Sequence, residues 1–323
     1  MAGEAVMNKK TTLSKFPELK EKWNQYIKQF TQHPSRLAII SDYCIHDNNK
    51  PNDVLSFSIC PYPEELLFIS SEIEKIMKRD IKHKKNIPPQ MINYIKQQKL
   101  IFTISYVIRN KNCIDIQKFK DSINDYINKC KIILAQCPNN RLLHDIKNLE
   151  KINAYLKKKK PDLNFIKGFV LIASLTTEIM EFLAISYGAR EINWISDRDP
   201  ATLFKQGVIF ELTRILYTQK IGKRRHNTHI FYTQLDKNMD IPLENALFIY
   251  PQKLSFDNII RFPDTITSTL ASYDFEQNIT PKSKHRDVLL HSIADNERIC
   301  IFDLTDKEMG NVTLKRVFPA LSN

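Results

Sequence analysis

The chain has 323 residues, carries 48 Lys and Arg against 36 Asp and Glu, and contains only 6 Gly, at Gly3, Gly168, Gly188, Gly207, Gly222 and Gly310. Glycines that stand singly cannot form the clustered loops that bring backbone amides onto a phosphate, which excludes glycine-loop dinucleotide binding and Walker-type NTP hydrolysis. The net charge of +12 and pI near 9.3 point to a polyanionic partner, nucleic acid or an anionic membrane surface.

With 42% hydrophobic and 26% charged residues the chain can bury a substantial core. Residues 168–187 are the most apolar stretch, but Glu178 and Glu181 interrupt it, so no membrane span is predicted. Residues 1–10 lack an apolar signal core, and Met7 is a candidate natural initiator behind an added leader. The six cysteines include no C-x-x-C and no histidine at zinc spacing. Free thiols in a reducing cytoplasm are the expectation.

Residues 1–32 read as an extension with one helix at 16–30, where Leu19, Trp23, Ile27 and Phe30 repeat at helical spacing. Residues 33–323 form the main domain. The apolar run 37–40 is a first strand that stops at Ser41-Asp42, and the alternating 54–59 is a second, joined to it by a turn-rich loop in a hairpin. A helix is predicted over 63–78, with acids early and bases late. Residues 100–108 form the clearest strand. Two wet helices over about 113–160 read as an insertion, and residues 162–164 offer a cap for the strongly apolar helix 165–187, with Gly188 as its stop. A strand at 192–195, a helix at 201–217, strands at 227–233 and 246–250, a late helix opening at Pro263-Asp264 and a short strand at 299–304 complete the series.

Acidic residues recur where these strands stop or central helices begin: Asp42, Asp197 and Asp199 after strands, Glu178 on the apolar helix, and Asp264 at the late helix. Carboxylates grouped on the rim of a sheet repel one another unless a divalent cation neutralises them, and Mg²⁺ or Mn²⁺ prefers such oxygen ligands. Asp199 before Pro200 also has the pattern of a helix N-cap, so Asp197 is the preferred ligand of that pair.

This order of elements resembles the RNase H-like superfamily of nucleases and integrases, closest to bacterial members of unknown role. The resemblance rests on Ile39-Ile40-Ser41-Asp42, Ile195-Ser196-Asp197 and Pro263-Asp264 with the residues to Ala271. It implies an α/β fold with a mixed five-stranded sheet flanked by helices and interrupted by the helical insertion. It also implies a metal-dependent nuclease in which Asp42, Asp197 and Asp264, with Glu178 as a further carboxylate, bind Mg²⁺ or Mn²⁺ and water attacks DNA or RNA.

Three basic runs, at 82–85, 157–160 and 223–226, would hold the polyanion. Lys223, Arg224, Arg225 and His226 are the preferred contact, because two arginines can grip phosphate oxygens bidentately. Cys44 with His46 is too local a pair for thiolate catalysis. The rival readings are a non-catalytic nucleic-acid-binding module of the same fold, and a protein-interaction component of a larger bacterial assembly that uses the helical insertion as its contact surface.

Overall fold

The computed structural model describes residues 13–77, 85–109, 116–197, 199–221, 228–234, 257–306 and 312–316. In chain order the elements are α1 (Pro17–Lys28), β1 (Arg36–Cys44), β2 (Asp53–Pro61), α2 (Glu64–Ile76), α3 (Pro89–Gln97), β3 (Phe102–Ile108), α4 (Ile116–Gln136), α5 (Asn140–Leu156), α6 (Leu163–Glu181), β4 (Glu191–Ser196), α7 (Pro200–Leu203), α8 (Val208–Ile221), β5 (His229–Gln234), α9 (Asp257–Ser272), α10 (Ser283–Val288), β6 (Ile299–Asp306) and β7 (Val312–Arg316). The predicted strand at 246–250 lies outside the described residues.

The fold is α/β, built on one mixed sheet of order β5-β4-β1-β2-β3-β6-β7. Strands β1, β2 and β3 form an antiparallel meander, β4 and β5 join β1 in parallel, and β6 lies parallel to β3 with β7 antiparallel beyond it. Among the described residues the sheet has seven strands where five were expected. The extra pair continues the sheet past β3, whose outer edge would otherwise leave its ladder of N–H and C=O groups open.

Alternation along the strands divides the core in two. On β1, Leu37 and Ile39 face one layer, with Leu55, Phe57 and Trp194 and with residues of α1, α5, α6 and α8. Ala38 and Ile40 face the other, with Val54 and Ile195 and with residues of α2, α3 and α9. Helix α1 is part of the first layer: Trp23 is buried and packs edge-on against Phe102, Phe182 and Tyr187. The inserted helices α4 and α5 cover the same side, with Ile123, Ile127, Ile146, Leu149 and Ile152 inward. Ile132 and Ile133 of α4 are exposed.

Helix α6 begins where expected, with the Asp162 side chain accepting the Phe165 N–H at 3.0 Å. It passes into a π-helical turn at Phe182–Tyr187 and stops at Gly188 with φ +82°. By length and composition Leu163–Tyr187 is apolar enough to cross a membrane, yet 83% of its apolar window is buried inside the protein. At Gly188 a Cβ would meet nothing within 4 Å, so its substitution tests the backbone alone. Gly188→Ala is expected to cost about 1–2 kcal/mol, read as a fall in thermal midpoint with unchanged circular dichroism at room temperature.

Two helix boundaries differ from the sequence reading. The stretch 201–217 is broken into α7 and α8, because Lys205, Gln206 and Gly207 all take positive φ. Helix α9 opens at Asp257, and Pro263 lies inside it. Ile259, Ile260 and Phe262 are buried against the sheet, and that packing outweighs the hydrogen bond a mid-helix proline forfeits.

Candidate acidic site

Strands β1 and β4 run side by side until β4 stops at Ser196, opposite Ser41, and the N–H of Asp197 donates to the Ser41 carbonyl at 3.1 Å just past that last pair, while β1 runs on to Cys44 against β2. Asp42 lies within β1 and not after it, opposite Ser56 of β2. The period of two decides where it points. Ser41, Tyr43 and Ser196 turn to the α6 layer, where Trp194 Nε1 donates to Ser41 Oγ at 2.8 Å and the Tyr43 hydroxyl lies 3.0 Å from Ser196 Oγ. Asp42 turns to the other layer, beneath α9, whose Thr267 hydroxyl donates to the Asp42 carbonyl at 3.4 Å.

The Asp42 side chain is only 6% exposed. Burial pushes its carboxyl well above the ordinary carboxylate range, the nearby charges of Asp264 and Asp197 push it further, and Asp199 adds a smaller push. A hydrogen bond with Thr267 acts in the opposite sense. Asp42 therefore senses three other carboxylates at the junction of β1, β4 and α9. Asp264 reaches the group from within α9, one turn before Thr267, and not from the opening of a helix.

Asp199 has a structural task of its own. Its side chain accepts the Ala201 N–H at 2.8 Å, and its own backbone N–H donates to Thr202 Oγ1 at 3.0 Å, a complete capping box for α7. Burial raises its carboxyl, and Asp197 adds to the rise, while the Ala201 N–H and His46 oppose it.

Glu178 is not brought to this group. It lies on α6 in the opposite layer, beside Glu181, and the two take the ammonium of Lys220 from α8. Residues 223–226, the expected phosphate contact, lie outside the described residues, as do 82–84 of the first basic run. Lys157 to Lys160 are exposed beyond the end of α5. Cys44 is half-buried and unpaired, and burial raises its thiol to about 12, which keeps it protonated and inert.

One residue of the rim carried no separable sequence signal. His46 follows β1 with φ +60°, held by its N–H donating to Asp53 Oδ1 at 2.8 Å and by Nδ1 at 3.6 Å from Asp53 Oδ2. Its Nε2 is buried without a hydrogen-bond partner. It lies beside Gly168 of α6, where a Cβ would sit in ordinary contact with that nitrogen at 3.6 Å.

Among the described residues, three ligating atoms lie within 4.8 Å of one another only at His144, Asp145 and Glu211. That group is already neutralised: Arg214 pairs with Asp145 and reaches Glu211 at 2.9 Å, and Arg141 reaches Glu211 at 3.4 Å. Its chemistry is that of a clamp between α5 and α8. The Asp42 group is looser, with no three of its ligating atoms within 4.8 Å of one another. Its donors are all oxygens, from Asp42, Asp197, Asp199 and Asp264 with the Thr267 hydroxyl beside them, a set that suits Mg²⁺ or Mn²⁺ and not a thiophilic metal.

No family model, no curated protein and no solved structure matches this chain.

Proposed function

We propose that the chain is a metal-dependent phosphodiesterase acting on nucleic acid, with an RNase H-like core extended by β6 and β7. The observation that carries the reading is the buried Asp42 carboxylate, which senses three other aspartates at the point where β4 stops beside the central strand β1. Burying a carboxylate among like charges is costly, and the cost is relieved when a divalent cation enters. The antiparallel meander of β1, β2 and β3, with β4 and β5 parallel beside β1, supports the superfamily resemblance carried by the residues around Asp42, Asp197 and Asp264. The +12 charge supports a polyanionic substrate.

In this reading Asp42, Asp197 and Asp264 hold the ions, and Asp199 adds charge while it caps α7. A pair of such ions supplies activation of water and neutralisation of the leaving oxygen. The protein's own contribution is position: the ladder between β1 and β4 fixes two of the carboxylates, and the packing of α9 on the sheet fixes the third. The test is incubation of purified protein with labelled DNA and RNA and Mn²⁺. Cleavage that stops with EDTA is the expected result, and no cleavage of either polymer in Mn²⁺ or Mg²⁺ would sink the reading.

A second reading, a contact surface for a partner protein on the helical insertion, is favoured by the outward-facing Ile132 and Ile133. It is compatible with hydrolysis, since the two surfaces belong to opposite layers of the sheet.

A further inference from the structure

The C-terminal half of α9 is gripped from two sides by basic segments that the sequence places far apart. From the β1–β2 loop, the Lys50 ammonium donates to Ser272 Oγ, and the Asn52 amide donates to the carbonyls of Leu270 and Tyr273 at 3.1 and 2.6 Å. From the other side, His285 of α10 meets Thr269 Oγ1 at 3.3 Å, which sets Lys282 and Lys284 at the start of α10 against the same helix end. The two segments thus meet on one helix end and bring Lys50, Lys282 and Lys284 to it. Lys50 is lowered by burial first and also by Lys282 and Lys284, with Cys44 and Asp47 acting in the other direction. Lys284 is lowered by burial and by Lys282, and the acid that opposes this is Asp264 of the candidate site. His285 is pushed down to about 3 by burial and by the same three lysines, so it stays neutral and adds no positive charge.

We infer that Lys50, Lys282 and Lys284 form a cradle for the phosphodiester backbone of a nucleic acid strand, on the flank of the acidic site. This rests on the hydrolase reading for its purpose, though not for its chemistry. Like charges held together on a fixed scaffold call for an anion, and a backbone with regularly spaced phosphates supplies several at once. The position suits a chain that passes through the site: Ser272 follows Asp264 by eight residues, about 12 Å along α9. Thr269 lies between those two residues on α9 and meets His285, the chain neighbour of Lys284, at 3.3 Å. The cradle thus holds a strand away from the bond to be cut, and it governs binding in place of the chemical step. A nearby run, Lys282-Ser283-Lys284-His285-Arg286, is the sequence trace of this surface, but Lys50 has no such trace.

The experiment measures anisotropy of short fluorescein-labelled DNA and RNA oligonucleotides in EDTA, over a salt series, for the wild type, the triple variant K50Q/K282Q/K284Q, the double variant K282Q/K284Q and D42N. The double variant changes only the α10 segment, where Lys282 is exposed, and so guards against misfolding of the triple. The expected result is binding weakened at least ~10-fold in the triple variant, with the slope of log K against log salt reduced by about 2 to 3, at about 0.7 to 0.9 for each phosphate that is no longer neutralised. D42N should bind at least as tightly as wild type. A preference between the two oligonucleotides identifies which polymer the cradle takes. Unchanged affinity and slope in both lysine variants overturn the cradle, whether or not the wild type cleaves. Binding lost in the lysine variants by a wild type that never cleaves keeps the cradle and removes the hydrolase reading. Lysine-dependent binding to phosphatidylserine vesicles, with neither oligonucleotide bound, overturns the proposal in favour of a membrane surface.

Discussion

Asp42→Asn is expected to abolish hydrolysis and at the same time to stabilise the metal-free protein. The two effects share one cause. In the absence of a cation Asp42 is buried and faces the charges of Asp264, Asp197 and Asp199, all of which oppose its ionisation. Its folded carboxyl therefore titrates above its unfolded value. The stabilising effect of that raised value is fully present below about pH 4, the unfolded carboxylate range, and it is lost as pH rises through the folded value. Above that point the wild type keeps a charge in place at a cost that Asn does not incur. A relief of about 1–3 kcal/mol corresponds to a rise in thermal midpoint of about 2–6 °C for a chain of this size. Scanning fluorimetry in EDTA from acid to neutral pH checks this. Wild type and D42N should coincide at the acid end and separate as pH rises, with D42N the more stable. Mn²⁺ should then raise the wild type and leave D42N unmoved. The loss of activity should be at least ~10²-fold, the lower end of the scale for removing one preorganised electrostatic group from an active site. A D42N protein less stable than wild type in EDTA at neutral pH would show that the carboxylate serves the fold.

The largest effect on stability is expected toward the β6 edge of the sheet, at Arg109→Ala. Asp303 of β6 is 2% exposed, and its Oδ2 takes the Arg109 guanidinium just beyond the end of β3. Its Oδ1 is buried without a hydrogen-bond partner, so the arginine carries the neutralisation of this carboxylate. Arg109 also lies over the Phe275 ring, 5.5 Å from its centroid. Breaking a buried pair from one side typically costs about 3–5 kcal/mol, because the remaining charge is stranded. Arg109 is itself 36% exposed, so water reaches the gap and the expected loss is about 2–4 kcal/mol. Asp303→Asn in the R109A background should recover much of it, and chemical denaturation of the four proteins gives the coupling directly. Losses that simply add would mean that the pair is not coupled.

The local rules of the chain were readable in advance wherever a side chain acts on its own backbone. Asp162 caps α6, Gly188 takes the left-handed turn that ends its helical run, and Asp199 before Pro200 builds a capping box. Each depends on residues within one helical turn. The alternation of 54–59 and the apolar run 37–40 likewise mark strands that lie at the middle of the sheet. The break at Lys205 and Gln206 had only Gly207 as a cue, since neither side chain favours positive φ. Pro263 misled for a related reason: proline is at home in the first turn of a helix, and only the burial of residues before it extends α9 upstream.

Composition and spacing by themselves thus determined an α/β chain without glycine phosphate loops, with excess positive charge and acids near strand ends. Tertiary structure alone decided which acids meet. Asp42 and Asp197 share a face because β1 and β4 pair in a register that the backbone ladder fixes, and ladder bonds carry no side-chain signature. Glu178 falls on the other face because α6 packs on the opposite layer. Lys50 joins Lys282 and Lys284 through the end of α9, across a sequence separation over which no periodicity operates. Local chemistry is written in neighbours along the chain, whereas a site is written in neighbours in space, and those are set by how the two apolar faces of the sheet are covered.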